Sequence, residues 1–256
     1  MRQKIETLIV SDLHLGSGVS RAAALRQVLR QYDYRRLILN GDIFDHSRFQ
    51  RLRRGDWRLL SEIRQRAQNM PQGEVVWIAG NHDPWLRPLA ALTGARVCKE
   101  YAWEENGRRC LALHGHQFDR FMKDNAGLSA VATVFYALAQ RFDTADYRCS
   151  RWLKRRCKTW LRNSELVAEQ ALDYAARRQA DVVFCGHTHQ AMQREQNGRW
   201  YVNSGCWTDH YSYIITRPGE RDWLSLMEEN PRPAAPVIAL PAPASAGNPM
   251  IWDMPA

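Results

Sequence analysis

One recurrence constrains this chain more than any other feature: five times, a short apolar run breaks off into a polar cluster drawn from Asp, Asn, His and Gly. The clusters are Asp12-Leu13-His14, Gly41-Asp42-Ile43-Phe44-Asp45, Gly80-Asn81-His82-Asp83, His114-Gly115-His116 and Gly186-His187-Thr188-His189. The runs before them, Lys4 to Ser11, Arg36 to Asn40, Glu74 to Ala79, Arg108 to Leu113 and Asp181 to Cys185, read as buried strands. Between the first two strands, Ser20 to Gln31 sets Ala22, Leu25, Val28 and Leu29 at helical spacing, and a basic helical stretch, Gly55 to Gln68, precedes the third. Strand, helix, strand order favours a parallel crossover with ligand-binding loops at the strand carboxyl ends.

Hairpins follow. Arg96 to Trp103 and Arg108 to Leu113 flank Asn106-Gly107, and Ala191 to Gln196 and Arg199 to Asn203 flank Asn197-Gly198, both type I′ turn signals. Tyr211 to Thr216 reads as the last strand. Asn125 to Ala180 has no strand signal and reads as roughly three helices forming a cap over the rim. The expected fold is α/β, a four-layer α/β/β/α sandwich with mixed sheets and a helical insertion. Its domain covers 1–230, with the insertion at about 125–180. Residues 231–256 are rich in Pro and Ala, cannot supply a core, and read as a disordered tail.

Composition closes off other classes. With 45% hydrophobic and 25% charged residues, the 256-residue chain is neither disordered nor fibrous. Thirty-six Lys and Arg against 27 Asp and Glu give a charge of +9, which favours phosphate-bearing partners without choosing among nucleic acid, lipid headgroups and small molecules. Met1 to Val10 lacks an apolar core of signal-peptide length, and the longest apolar stretch, Leu128 to Ala139, is too short to span a bilayer. Cys98, Cys110, Cys149, Cys157, Cys185 and Cys206 show no CxxC spacing and read as free thiols in a reducing cytosol.

The five clusters speak a metal-ligand vocabulary of carboxylate, imidazole and amide, almost without Lys. If the chain stays extended, alternation brings Asp12 beside His14, and His187 beside His189, each pair aimed at one point. Gly41, Gly80 and Gly186 let the backbone turn sharply beside the site. Mixed oxygen and imidazole donors without thiolate suit Mn, Fe, Co or Zn. Two cations sharing a carboxylate need about seven protein ligands, and seven are available. Any single cluster is more often a turn or cap; five in succession after buried strands are not.

The order DxH, GDxxD, GNHD, H, GHxH, spanning residues 12 to 189, resembles the calcineurin-like metallophosphoesterase superfamily. The resemblance implies a metallophosphoesterase sandwich in which Asp12, His14, Asp42 and His189 hold one divalent cation and Asp42, Asn81, His114 and His187 the other, with Asp42 bridging. It implies two cations, Mn²⁺ by preference, that polarise phosphate oxygens and lower the pKa of a shared water. His82 matches the family's catalytic histidine, and Asn81 and His82 would face the substrate phosphate. Asp45 either holds the other nitrogen of His82 or caps its own loop. His114 directly follows the apolar strand and is favoured over His116 as ligand; His116 is read as an outer neighbour or a solvated residue, and His46 and His210 as surface residues.

SDLHLGSG, LILNGDIFD, LALHGHQFDRF, the insertion and WYVNSGCWTD resemble, more narrowly, the UDP-2,3-diacylglucosamine hydrolase group of lipid A biosynthesis, although HGH stands where that group commonly has HGD. The resemblance implies hydrolysis of a lipid-linked nucleotide sugar to UMP and 2,3-diacylglucosamine 1-phosphate. The insertion adds its own signal. Cys149, Trp152, Leu153, Cys157, Trp160 and Leu161 share one helical side. Arg148, Arg151, Lys154, Arg155, Arg156, Lys158 and Arg162 project elsewhere, and no acidic residue falls between Tyr147 and Ser164. Such a helix suits an anionic membrane surface, so the protein is expected in the cytoplasm with peripheral contact at the inner membrane; a helix merely packed on the core is the competing reading. Asn163 or Ser164 is expected to cap the helix that follows. Nucleic acid is the weaker partner, because the second basic run, Arg48, Arg51, Arg53, Arg54 and Arg58, has aromatics only at its edges. Other phosphoesters and a non-catalytic scaffold role complete the alternatives.

Overall fold

The computed structural model describes residues 2–46, 49–70, 73–83, 88, 93–119, 158–208, 211–219 and 222–229. Eleven strands form two sheets among the described residues: β1 (Gln3–Val10), β2 (Tyr32–Asn40), β3 (Glu74–Ile78), β4 (Arg96–Cys98), β5 (Glu100–Glu105), β6 (Arg108–Leu113), β7 (Val182–Cys185), β8 (Met192–Gln196), β9 (Arg199–Asn203), β10 (Ser212–Thr216) and β11 (Leu224–Glu228). The first sheet runs β11-β10-β1-β2-β3-β4 and the second β5-β6-β7-β9-β8. Among the described residues three α-helices accompany them, α1 (Ala22–Gln31), α2 (Arg54–Gln68) and α3 (Lys158–Arg177). Strands β1 to β4 are mutually parallel, as are β6, β7 and β9.

Period-two alternation builds the layers. Leu8, Val10, Leu37, Leu39, Val75 and Trp77 point from the first sheet toward Leu25, Val28, Leu59 and Ile63 of α1 and α2. Their neighbours Ile9, Ile38, Val76 and Ile78 face the other way and meet Cys110, Ala112, Val182 and Phe184 of the second sheet. On its far side, Leu111, Leu113, Val183 and Cys185 pack on Val167, Ala168, Ala171 and Ala175 of α3. Both faces of each sheet are therefore covered, which is why these strands read as continuous apolar runs, and the order helix, sheet, sheet, helix is the expected four-layer sandwich.

Both Asn-Gly turns have positive φ at the two central residues, 52° and 70° at Asn106-Gly107 and 53° and 76° at Asn197-Gly198, the backbone of a type I′ hairpin. Three expectations need correction. The run Arg96 to Trp103 is two strands, because the chain leaves the first sheet after Cys98 and enters the second at Glu100. Tyr211 to Thr216 is not the last strand, since β11 pairs antiparallel with β10. Asn163 and Ser164 cap nothing: α3 runs through both without interruption. Most of the insertion (120–157), with Cys149, Cys157 and Trp152, lies outside the described residues, as do His210 and the tail 231–256. Cys98, Cys110 and Cys185 are free thiols, and the Cys206 sulfur accepts from Thr208 Oγ1 at 3.4 Å. Among the described residues no helix is long and apolar enough to cross a membrane.

Candidate metal centre

Parallel pairing fixes where the polar loops meet. Val10 sits opposite Leu39 in the register of β1 and β2, and the two loops stay zipped beyond the strand ends, with Asp12 N donating to Gly41 O (3.0 Å), His14 N to Asp42 O (3.1 Å) and Leu15 N to Ile43 O (2.8 Å). Asp12 and Asp42 are thereby held side by side at the carboxyl rim. The loop after β3 joins through Asp83. Its buried carboxylate accepts from Ile43 N and Phe44 N at 3.1 Å and from Gly80 N at 3.2 Å, clamping two loops. Burial and the Asp42 charge push the Asp83 carboxyl up to about 6.

Two triads result. Asp12, His14 and His189 form one, Asp42, His114 and His187 the other, and within each the ligand atoms lie within 4.8 Å of one another. They adjoin: His187 N donates to Asp12 Oδ2 at 3.0 Å. Five of these six residues adopt left-handed backbone, with φ of 53° at Asp12, 43° at His14, 52° at Asp42, 67° at His187 and 55° at His189. Each such residue costs of order 1–3 kcal/mol and persists only where the surroundings over-determine it. One expectation is overturned. His187 and His189 do not aim at one point, since the two imidazoles enter different triads, whereas Asp12 and His14, with backbone just as far from extended, share one.

Glycines make the room. A Cβ on Gly41 (φ 85°) would stand 2.2 Å from His114 Nδ1, one on Gly80 would stand 2.2 Å from Asp42 Oδ1, and one on Gly186 would stand 2.5 Å from Asp12 Oδ2. Only Gly41 among the three also needs the left-handed conformation; the others are small because ligands pass against them.

The donor set fits divalent cations on its own geometry. Three imidazoles are held from behind by an oxygen: His14 Nδ1 lies 3.5 Å from Asp45 Oδ1, His114 Nδ1 donates to Asn40 O at 2.9 Å, and His187 Nε2 donates to Asp119 Oδ2 at 3.0 Å. Such outer partners fix the tautomer and turn the second nitrogen's lone pair inward. Inside, the buried Asp12 Oδ1 lies 3.2 Å from His189 Nε2, the buried His114 Nε2 lies 3.3 Å from Asp42 Oδ2, and His14 Nε2 meets His189 Nε2 at 3.1 Å. Imidazole nitrogens and carboxylate oxygens packed this closely call for positive charge among them, whether a shared proton or a cation. The electrostatics agree. Burial would lower the His114 imidazole, but the charges of Asp42 and Asp12 override it and raise it to about 10. Burial would raise the Asp42 carboxyl, yet His114 and the neighbouring imidazoles hold it well below the usual carboxylate range.

Residues 5–191 match the family profile described as calcineurin-like phosphoesterase. The chain belongs to that family. Among solved structures, Vps29 of Chaetomium thermophilum is 10% identical, covers 93% of this chain and 98% of its own, and superposes with a TM-score of 0.51. Vacuolar Protein Sorting 29 of Cryptosporidium parvum is 14% identical over 91% of this chain and 95% of its own (TM-score 0.49). A conserved uncharacterized protein from Streptococcus pneumoniae TIGR4, a predicted phosphoesterase, is also 14% identical, over 92% and 98% (TM-score 0.47). At these identities the likeness concerns the fold alone. No curated protein matches.

Within this calcineurin-like phosphoesterase, the other expected site residues fall as follows. His114, not His116, enters a triad; the His116 ring lies 5.4 Å from that of His114. Asn81 is exposed and sits between Gly80, whose Cα packs on Asp42, and His82, whose N donates to Asp42 Oδ1 at 2.8 Å. The exposed His82 ring lies edge-on to His14, centroids 5.1 Å apart. Asp45 requires a correction: it is the main-chain carbonyl of Asp45 that meets His82 Nδ1, at 3.0 Å, while its carboxylate faces His14 Nδ1 and lies 3.0 Å from His46 Nε2. The triads were legible residue by residue; the outer carboxylate Asp119 was missed, although it lies within the HGHQFD run, because nothing in spacing tells which nitrogen of His187 needs a partner.

Proposed function

We propose that this phosphoesterase is a dimetal hydrolase of a lipid-linked nucleotide sugar, cleaving the diphosphate of UDP-2,3-diacylglucosamine to UMP and 2,3-diacylglucosamine 1-phosphate. The observation that carries the hydrolase reading is the pair of adjoining triads of carboxylate and imidazole atoms, beside an exposed histidine. Asp12, His14, Asp42 and His189 would hold one cation and Asp42, Asn81, His114 and His187 the other, with Mn²⁺ the preferred ion. When bound, such cations supply Lewis acidity toward phosphoryl oxygens and acidify water.

The chain's own residues do the rest. A carbonyl only accepts, so Asp45 O fixes His82 with a proton on Nδ1 and leaves Nε2 open to the rim. There, as the imidazolium with a second proton on Nε2, it can stabilise phosphoryl charge or deliver that proton to the departing oxygen. The Asp45 carboxylate serves His14 instead, orienting a ligand. Support for a lipid-linked substrate comes from α3: Leu161 and Leu166 are 39% and 46% exposed, Arg162 is exposed between them, and the adjacent Asn163 reaches Asp119 behind His187. The exposed face of α3 also carries Glu165 and Glu169, both paired with Arg194, so the support comes from its Leu161–Arg162 end, the kind of apolar and basic surface an acylated phosphate or an anionic membrane requires.

The test is turnover with Mn²⁺ of the acylated UDP-sugar, its deacylated analogue and single-stranded DNA. Preference for the acylated substrate supports the proposal. Equal turnover of both sugars rejects acyl recognition, faster cleavage of DNA favours a nuclease, and two bound cations with no turnover at all favour a scaffold.

A further inference from the structure

We infer that Asp119 is the positioning carboxylate of the second triad and that Asn163 holds it in place from α3; this rests on the dimetal reading above. Asp119 follows the 3₁₀ turn His116–Phe118 and is buried. A single oxygen, Oδ2, takes both contacts: His187 Nε2 at 3.0 Å and Asn163 Nδ2 at 3.0 Å. An ionised carboxylate oxygen only accepts, whereas an amide nitrogen and a protonated ring nitrogen both donate. The contact therefore selects the His187 tautomer with its proton on Nε2 and leaves the Nδ1 lone pair for the site formed with Asp42 and His114. His14 has the same arrangement in the first triad, where Asp45 stands behind Nδ1. One outer carboxylate serves one imidazole in each triad.

Asn163 explains itself by the same contact. Asn is a poor residue for a helix interior, and α3 continues through this position with no cap or turn to justify it. Its side chain instead ties the helix to the carboxylate behind a candidate ligand. Because Ala168, Ala171 and Ala175 seat α3 firmly on the second sheet, the amide has a rigid base from which to hold Asp119. Sequence periodicity alone assigns neither residue this task.

The experiment uses the full chain. Mn²⁺ is titrated by calorimetry into the wild type and into Asp119→Ala, Asp119→Asn and Asn163→Ala, and the His187 tautomer is read from imidazole ¹⁵N shifts of the metal-free proteins. The wild type is expected to bind two ions and to show the Nε2-protonated form. Asp119→Ala should weaken one of the two sites by about 10–100-fold, spare the other, and release the tautomer preference. Asp119→Asn, whose amide oxygen still accepts from Nε2–H, should restore the tautomer and part of the affinity. Asn163→Ala, which improves helix propensity and so guards against a folding artefact, should give a smaller loss at the same site. Equal weakening of both sites, or unchanged affinity and tautomer in Asp119→Ala, overturns the proposal. A wild type that fails to bind two ions overturns the dimetal reading itself.

Discussion

Replacing Gly41 with Ala tests whether the close packing at the rim has the energetic weight assigned to it. The new methyl carbon would lie 2.2 Å from His114 Nδ1 and 2.5 Å from its Cγ, on a residue with φ of 85°. An L side chain in left-handed backbone costs about 1–2 kcal/mol. Displacing the fully buried His114 adds about 1–3 kcal/mol of overpacking, and losing its 2.9 Å bond to Asn40 O adds about 1 kcal/mol. The sum is about 3–6 kcal/mol. Gly107→Ala is the matched control: φ is 70° and nothing lies within 4 Å of the new atom, so only the backbone penalty applies. Urea unfolding of the two variants should therefore separate them by about 2–4 kcal/mol, and Mn²⁺ affinity should fall in Gly41→Ala but not in Gly107→Ala. Equal destabilisation of the two, with unaltered metal affinity in Gly41→Ala, would refute the steric argument.

Asp42→Asn should cut phosphoesterase turnover by at least about a hundredfold, since loss of mere outer partners already costs about 10–100-fold; retained turnover would reject the bridging assignment. Saturating Mn²⁺ should raise the melting temperature by at least about 5 °C, because a ligand at a hundred times its Kd stabilises by about 2.7 kcal/mol, and a chelator should reverse it; a melting curve indifferent to Mn²⁺ would count against the centre. His82→Ala should lower kcat by about 10²–10⁴-fold while leaving calorimetric Mn²⁺ binding intact, which parallel kinetics and calorimetry will show or deny. Tyr34 supplies a pH dependence remote from the site. Burial pushes its phenol up to about 12, so above pH 10 the unfolded chain ionises while the folded chain does not. The stability that Tyr34 contributes is complete below pH 10 and is lost between about pH 10 and 12, in total about 2.7 kcal/mol. Tyr34→Phe removes this loss, and the urea midpoints of variant and wild type should diverge between pH 9 and 11.5.

How far the sequence reaches can be judged from particular residues. Ala22, Leu25, Val28 and Leu29 are the buried face of α1 as their spacing indicates, and both Asn-Gly dipeptides close hairpins. These features are local: helical period and turn chemistry act within a few residues. The break at Lys99 is not local, because Arg96 to Trp103 satisfies strand chemistry throughout and only the presence of two sheets decides that the chain changes from one to the other. Asn163 shows the same limit, since a capping residue and a mid-helix residue reaching a partner 44 positions away look alike in a string of letters.

For the metal centre the division has a simple physical origin. Residue type states what an atom can do: Asp12, His14, Asp42, His114, His187 and His189 all carry donor atoms, and five clusters after five buried runs single them out as candidate ligands. Aim is another matter, for it depends on backbone twist and on what stands behind each ring. His187 and His189 enter different triads while Asp12 and His14, at the same spacing, share one, and the carboxylates of Asp45 and Asp119, set behind His14 and His187, determine which nitrogen points inward. Chemistry was written in the chain, while direction came from contacts between segments far apart along it, which exist only once both sheets have closed.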